Sequence, residues 1–344
     1  MKRILAVILL VAIVLVAFAA CSDSSNKDKA GQFSGSTINI VYQNGMSYAP
    51  FYIMQEKKLI EKYLPGVTVN WTVAASGQLV SEALSADRAD VGVMGVAPLL
   101  IAWDKGANIK MLSSLVNSPL DLVVMNDKYK SLKDFKPTDK IAVPAPGSIQ
   151  DILLSMAAEK ELGNANALKD NVLGVAHPQA MTQLLSGAGL AGHFSSSPFL
   201  FQEVAQGGKV IVEGFNAFGG DFTFLGAVAT KKFVEGSPLY AAAVYMALSD
   251  AMQLVNSRDS SAIDIIAAKE KITTDQVKQY LDWAGTNYTT TPYGVMGLAD
   301  FMKKTGKISK APANLSDFCW NTVTSIVGKR SGSPSVLEQA QTRK

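Results

Sequence analysis

The sequence predicts an α/β protein of two units, each a largely parallel sheet flanked by helices. Short apolar strands alternate with helix-length segments from Thr37 onward, which implies crossover connections and parallel pairing. The alternation restarts after Met125, so a second sheet is expected. Beyond an N-terminal leader, roughly 320 residues remain, enough for two units at ~100–200 residues each.

The leader is Lys2 and Arg3, an uncharged apolar run from Ile4 to Ala20, and then a polar stretch from Cys21 to Lys27. That is the layout of a secretory signal. A membrane-spanning helix is the other reading, since the run approaches the roughly 18 residues one requires. Small residues against a cysteine, with a polar segment directly after, favour the signal. Residues 22–36 are small and polar, a flexible tether.

The elements follow in order. Ile38–Tyr42 is a buried strand, and Pro50–Tyr63 has helical spacing with Pro50 suited to a first turn. Val67–Val73 alternates as a strand, Gln78–Ala86 is a helix, Val91–Met94 a strand and Pro98–Lys105 a helix. Ile109–Leu115 and Asp121–Met125 are strands. The second round begins with strand Ile141–Val143 and helix Ile149–Glu161. Strand Val172–Ala176, helix Gln179–Leu185, a helix after Pro198 and strand Lys209–Glu213 complete it. Past Phe222–Val228 the chain turns helical. Pro238–Asn256 is long, with Ser237 as its expected cap, and Thr273-Thr274-Asp275-Gln276 is a capping box opening a helix to Trp283. Residues 329–344 form a polar tail expected to fray.

Composition narrows the function. The net charge is +3, two of it in the leader, and no basic block stands out, so nucleic acid is not an expected partner. Two cysteines exclude a disulfide framework if Cys21 is modified. Cys319, between Phe318 and Trp320, reads as a buried small hydrophobe rather than a nucleophile. With two histidines in the whole chain, a histidine-built metal site is not expected, nor is any cofactor.

The strand-to-helix turns share a chemistry. They are Gly45–Pro50, Ala75–Gln78, Gly95–Pro98, Ala145–Gln150 and Ser195–Phe199. In open parallel sheets, ligands bind beyond the carboxyl ends of the strands. Each turn offers small residues that leave backbone N–H groups accessible, several add hydroxyl, amide or aromatic side chains, and none contains Lys, Arg, Asp or Glu. Each leads into a helix whose first N–H groups lack partners and suit an anionic or electron-rich group. Taken singly, a serine such as Ser76 or Ser148 is more often a helix cap than a ligand contact, and Met46 and Tyr48 read equally as loop residues packing on the core.

Tyr48-Ala49-Pro50-Phe51-Tyr52 through Lys57–Glu61, Ser76-Gly77-Gln78, Glu82–Gly92 and the Gly95–Pro98 turn together resemble solute-binding proteins of ABC importers, in the nitrate/sulfonate/taurine and thiamine-precursor group. The likeness runs from about Ile38 to Phe233. It implies a two-lobed periplasmic-binding-protein type II fold, with lobe one formed by 37–116 and 215–328 and lobe two by 117–214. It implies a ligand held between the lobes, faced by Met46, Tyr48, Ser76, Gln78, Val96 and Ala97 from lobe one and by Ser148, Gln150, Ser196 and Phe199 from lobe two. It further implies a monomer serving a permease with its ATPase, and no catalysis. Where the family often has an acidic residue and an aromatic before its Pro-Phe turn, this chain has Gly192–Phe199. Phe18-Ala19-Ala20-Cys21 likewise resembles the bacterial lipobox, with Phe18 in place of the usual leucine, and implies lipidation at Cys21 on an extracytoplasmic face.

Two rival functions stay open on the sequence. An exported enzyme on the same scaffold would need a carboxylate pair, a Ser–His–Asp set or metal spacing in the turns, and the turns carry none. His193 lies beside one turn and reads as a general acid–base, a ligand hydrogen-bonder or a structural residue. A surface sensor without a transporter is the other rival. The absence of arginine from the turns argues against a multiply charged phosphate as ligand.

Overall fold

The computed structural model describes residues 37–320. The leader, the tether, Cys21 and the polar tail lie outside the described residues. The chain runs β1 (Thr37–Tyr42), α1 (Ala49–Glu56), α2 (Leu59–Tyr63), β2 (Thr68–Val73), α3 (Gly77–Ser85), β3 (Val91–Gly95), α4 (Val96–Asp104), β4 (Ile109–Asn117) and β5 (Leu120–Val124). It continues with β6 (Ile141–Val143), α5 (Ile149–Leu162), β7 (Val172–Gly174), α6 (His177–Ser186), β8 (Gly192–Ser196), α7 (Phe199–Ala205), β9 (Lys209–Glu213), α8 (Gly214–Phe218) and β10 (Leu225–Thr230). The rest is α9 (Lys231–Gly236), α10 (Pro238–Asn256), α11 (Ser260–Glu270), α12 (Thr274–Leu281), β11 (Asn287–Tyr288), α13 (Val295–Lys304) and α14 (Leu315–Phe318).

Two sheets result, as the restart of the pattern predicts. The first has the order β11-β4-β10-β3-β1-β2 and the second β7-β6-β8-β5-β9. Strand β1 pairs in parallel with β2 and β3, and β6 with β7 and β8. Each sheet also holds a reversed strand: β10 runs antiparallel between β3 and β4, and β5 antiparallel between β8 and β9. The reversal comes from the connections. Only Ser118 and Pro119 separate β4 in the first sheet from β5 in the second, and the chain returns through β9 and α8 to β10. Both sheets are thus mixed: parallel in β3-β1-β2 and β7-β6-β8, antiparallel where β10 and β5 insert and where β11 pairs with β4 at the edge.

Local chemistry explains most boundaries. Pro50 sits in the first turn of α1, but the single helix expected over 50–63 is split where Lys58 takes a left-handed conformation at φ 50°. Ser148 caps α5 by accepting from Asp151 N–H, and Gly163 closes that helix at φ 73°. The capping box of Thr273 and Gln276 forms as expected, and α12 ends at Leu281. Ser237 takes the N-cap position of α10 as expected, with its carbonyl accepting from Ala241 N–H, but its hydroxyl donates to the Gly236 carbonyl rather than to the helix.

Strand β8 was not legible in the sequence. Gly-His-Phe-Ser-Ser has no β-branched residue, yet all five residues are buried between β6 and β5. Its polar side chains therefore need partners inside the protein. At the far side of β5, Gly214 approaches so closely that a Cβ there would lie 2.3 Å from the Leu120 carbonyl oxygen, while its N–H donates to Asp121 Oδ1. In the first sheet, Tyr42 meets Tyr52 and Trp71 edge-on at 5.8 and 6.1 Å, contacts worth about 0.5–1.5 kcal/mol each beyond burial. Cys319 is buried, and burial pushes its thiol up to about 12, consistent with a packing role.

Candidate functional site

The strand-to-helix turns of both sheets converge on one narrow crevice with a free volume of only about 30 Å³. From the first sheet it is walled by Gln43, Asn44, Tyr48, Gly77, Gly95 and Pro98, with Phe224 from the returning segment. From the second come Pro144, Ser148, Ile149, Gln150, His177 and Ser196. None of these carries a formal charge, so the site offers uncharged hydrogen-bonding groups between apolar walls.

The loop after β1 is held by residues far along the chain. Gly45 N–H donates to Glu270 Oε1 at 3.0 Å, and Tyr52 OH donates to the same oxygen at 2.6 Å. Tyr288 OH donates to the Met46 carbonyl at 2.6 Å. Burial raises the Glu270 carboxyl above its usual range, with the Tyr52 and Gly45 bonds opposing the rise. Met46 is thereby packed inward, and Tyr48 is left on the crevice wall. The loop also touches the opposite side, where Met46 N–H donates to the Ser197 carbonyl at 3.3 Å.

The residues expected from the sequence divide by orientation. Tyr48, Ser148, Gln150 and Ser196 line the crevice. Ser76 accepts from Leu79 N–H as the cap of α3, and Gln78 turns to Glu82 one turn along, facing a wider groove that shares Gly77, Pro98 and Ser148 with the crevice. Val96 and Ala97 are fully buried at the start of α4, where Val96 N–H donates to the Phe224 carbonyl. Phe199 lies behind the wall, stacked on His177 with ring centres 5.7 Å apart and planes inclined by 18°.

His177 is the residue that sequence reasoning passed over. Ala176-His177-Pro178 is one more strand-to-helix turn with proline in the first helical turn, and the rule that found the other five turns applies to it. His177 Nε2 lies 3.2 Å from Gln150 Nε2 and 3.1 Å from Ser196 Oγ at the crevice. Its Nδ1 lies 2.7 Å from His193 Nε2, and His193 Nδ1 lies 2.5 Å from Glu203 Oε1. Both side chains of the inner pair are wholly buried. A continuous chain thus runs from the crevice through both histidines of the protein to a carboxyl group on α7. Burial pushes His193 down to about 3, and it holds His177 well below its usual value, with the neighbouring His193 adding to the effect. Both imidazoles are therefore neutral. Burial pushes Glu203 up to about 8, partly offset by the Ser195 hydroxyl beside it. Among the described residues no group of three His, Cys, Asp or Glu side chains is placed to hold a metal ion.

Comparison with known proteins sets this site in context. The model of the NMT1-like family matches residues 34–269. No curated protein matches the sequence. Solved structures resembling the chain include the alkanesulfonate-binding protein SsuA from Xanthomonas axonopodis pv. citri bound to MOPS, at 17% identity, 83% of this chain, 98% of that one and TM-score 0.68. The periplasmic nitrate-binding protein NrtA from Synechocystis PCC 6803 is similar at 16% identity, covering 88% and 90% with TM-score 0.69. A Candida albicans gene product described as having the generic periplasmic binding protein fold is similar at 14% identity, covering 83% and 96% with TM-score 0.63. The two sheets joined by crossing strands are that fold.

Proposed function

The chain belongs to the NMT1-like family, and from that premise we propose that it is the solute-binding component of an ABC importer. The observation that carries the reading is the crevice walled by strand-to-helix turns of both sheets. A small organic solute, a sulfonate or a pyrimidine of the thiamine-precursor kind, is held there by Tyr48, Ser148, Gln150, Ser196 and His177. MOPS, the sulfonate bound in the Xanthomonas protein, is a natural first probe.

Lobe one comprises 37–116 and 215–328, lobe two 117–214, and the two close on the solute like a hinge. Contacts between these segments support such closure. Phe201 packs on Tyr280 and Trp283 with ring centres 4.5 Å apart, and Lys304 and Lys307 pair with Glu159 and Asp151. The loaded monomer docks on a permease with its ATPase, and Cys21, lipidated after cleavage, tethers it to the extracytoplasmic face of a bacterial membrane. Two or more acyl chains are needed for durable attachment.

The decisive experiment is a thermal-shift screen with MOPS, other sulfonates, pyrimidines and amino-acid derivatives, since a solute that binds only the folded state raises its melting temperature. A hit is then followed by solution scattering, where the radius of gyration should shrink. An unchanged radius with confirmed binding refutes closure, and an unmodified Cys21 in the membrane fraction refutes the lipid tether.

A further inference from the structure

We propose that capture of an anionic solute in this crevice takes up one proton, admitted at His177 Nε2 and stored on Glu203. The inference rests on the reading of the crevice as a solute site and adds to it a proton relay. With both imidazoles neutral the hydrogen bonds allow two arrangements, the second of which needs the Gln150 amide to turn its oxygen toward His177 Nε2. In the first, ionised Glu203 accepts from His193 Nδ1–H, His193 Nε2 accepts from His177 Nδ1–H, and His177 Nε2 is left as an acceptor for Gln150 and Ser196. In the second, protonated Glu203 donates to His193 Nδ1, His193 Nε2–H donates to His177 Nδ1, and His177 Nε2–H donates into the crevice.

The two differ by one proton. A proton that binds His177 Nε2 displaces the Nδ1 proton to His193 Nε2, and the His193 Nδ1 proton moves to Glu203. Neither imidazole ends up charged. The charge that disappears is that of the buried carboxylate, and the group presented to the solute changes from acceptor to donor. An anionic oxygen at His177 Nε2 is repelled by the first arrangement and held by a hydrogen bond in the second, so it draws the proton in. With the buried Glu203 raised to about 8, the second arrangement predominates near neutral pH and the first above it, so the proton is taken up on capture above about pH 8.

One other carboxyl nearby is raised by burial: Asp121 of β5, to about 6, with the Gly214 N–H opposing the rise and Glu213 of β9 adding to it, and no hydrogen bond joins it to the histidine chain. Asp151 of α5 accepts from Gly147 N–H and pairs with Lys307. Lys209 of β9 pairs with Asp127. The remaining groups in contact are the hydroxyls of Ser195 and Ser196 and the Gln150 amide.

The protein has only two histidines, so [15N]histidine spectra of the full chain report the relay alone. Between pH 6 and 9, without solute, both rings should stay neutral and exchange together the nitrogen that carries the proton, and Glu203→Gln should abolish that pH dependence. A charged imidazole in this range, or tautomers that do not move, overturns the proposal. Methanesulfonate, a monoanion at every pH used, serves as the solute probe. Its affinity should fall tenfold per pH unit above the Glu203 transition in wild type and should not depend on pH in Glu203→Gln. Binding with no pH slope in wild type overturns the proton uptake and leaves the receptor reading intact. Neutral solutes binding while methanesulfonate and every other anion of the screen fail has the same meaning. A chain that binds no solute of any kind overturns the receptor reading itself, and the proposal with it.

Discussion

Replacing Gly92 by alanine tests how the first sheet holds the crevice wall. Gly92 lies in β3, paired with Val41 on one side and Val228 on the other, under helix α3. A Cβ there would stand 2.6 Å from Val80 Cγ1 and 2.9 Å from Leu84 Cδ1, well inside contact distance. Leu84 can swing its methyl away. Val80 cannot, because a β-branched residue in a helix is held to essentially one χ1 rotamer. The helix must therefore retreat by on the order of 1 Å, and overpacking of that kind costs about 1–3 kcal/mol. For a chain of this size that lowers the melting temperature by about 2–10 °C. The retreat also moves Gly77, at the start of α3, away from Pro98 beside it on the same crevice wall, so solute affinity should drop with stability. The assay is thermal and urea unfolding of Gly92→Ala, Val80→Ala and the double variant. Val80→Ala alone costs roughly 1–3 kcal/mol in lost burial and cavity. In the double variant the new methyl group occupies the space vacated, so the two costs should fall short of their sum by about 1–2 kcal/mol. Strict additivity, or a Gly92→Ala protein as stable as wild type, would refute the reasoning.

Three further outcomes follow from the site. Tyr288→Phe removes one of the two hydrogen bonds to the Met46 carbonyl, leaving that from Ala49 N–H, at about 0.5–1.5 kcal/mol, and should lower both the urea midpoint and solute affinity by loosening the Gly45–Tyr48 loop. Ser148→Ala removes the α5 cap, at about 1 kcal/mol of stability, and if its hydroxyl bonds the solute, calorimetry should show roughly tenfold weaker binding. The third concerns pH. Glu203 titrates higher in the folded chain than unfolded, so its contribution is fully present below the unfolded carboxyl range and is lost as pH rises through about 8. The histidines, lowered on folding, act in the opposite sense below about pH 6.5 and are silent above it. Between pH 6.5 and 8 the wild type should therefore lose about 2 kcal/mol relative to Glu203→Gln, and parallel stability curves would contradict the assignment.

Local chemistry was legible in the order of residues because it is short-ranged. Strand and helix alternation, the caps at Ser148 and Thr273, and the small, uncharged turns depend on neighbours a few positions apart, and the two-sheet α/β fold followed from them. Orientation was not legible. Whether Gln78 faces the crevice or Glu82, and whether Val96 and Ala97 line a wall or fill the core, depends on how each helix is rotated against its sheet, which packing with distant elements decides. The same holds for β8, whose polar residues read as a loop until burial supplies their partners. His177, His193 and Glu203 lie within 27 positions of one another on three different elements. No spacing rule links them, because the contact between them exists only after β8, α6 and α7 have packed together and excluded the water that would otherwise solvate each group separately.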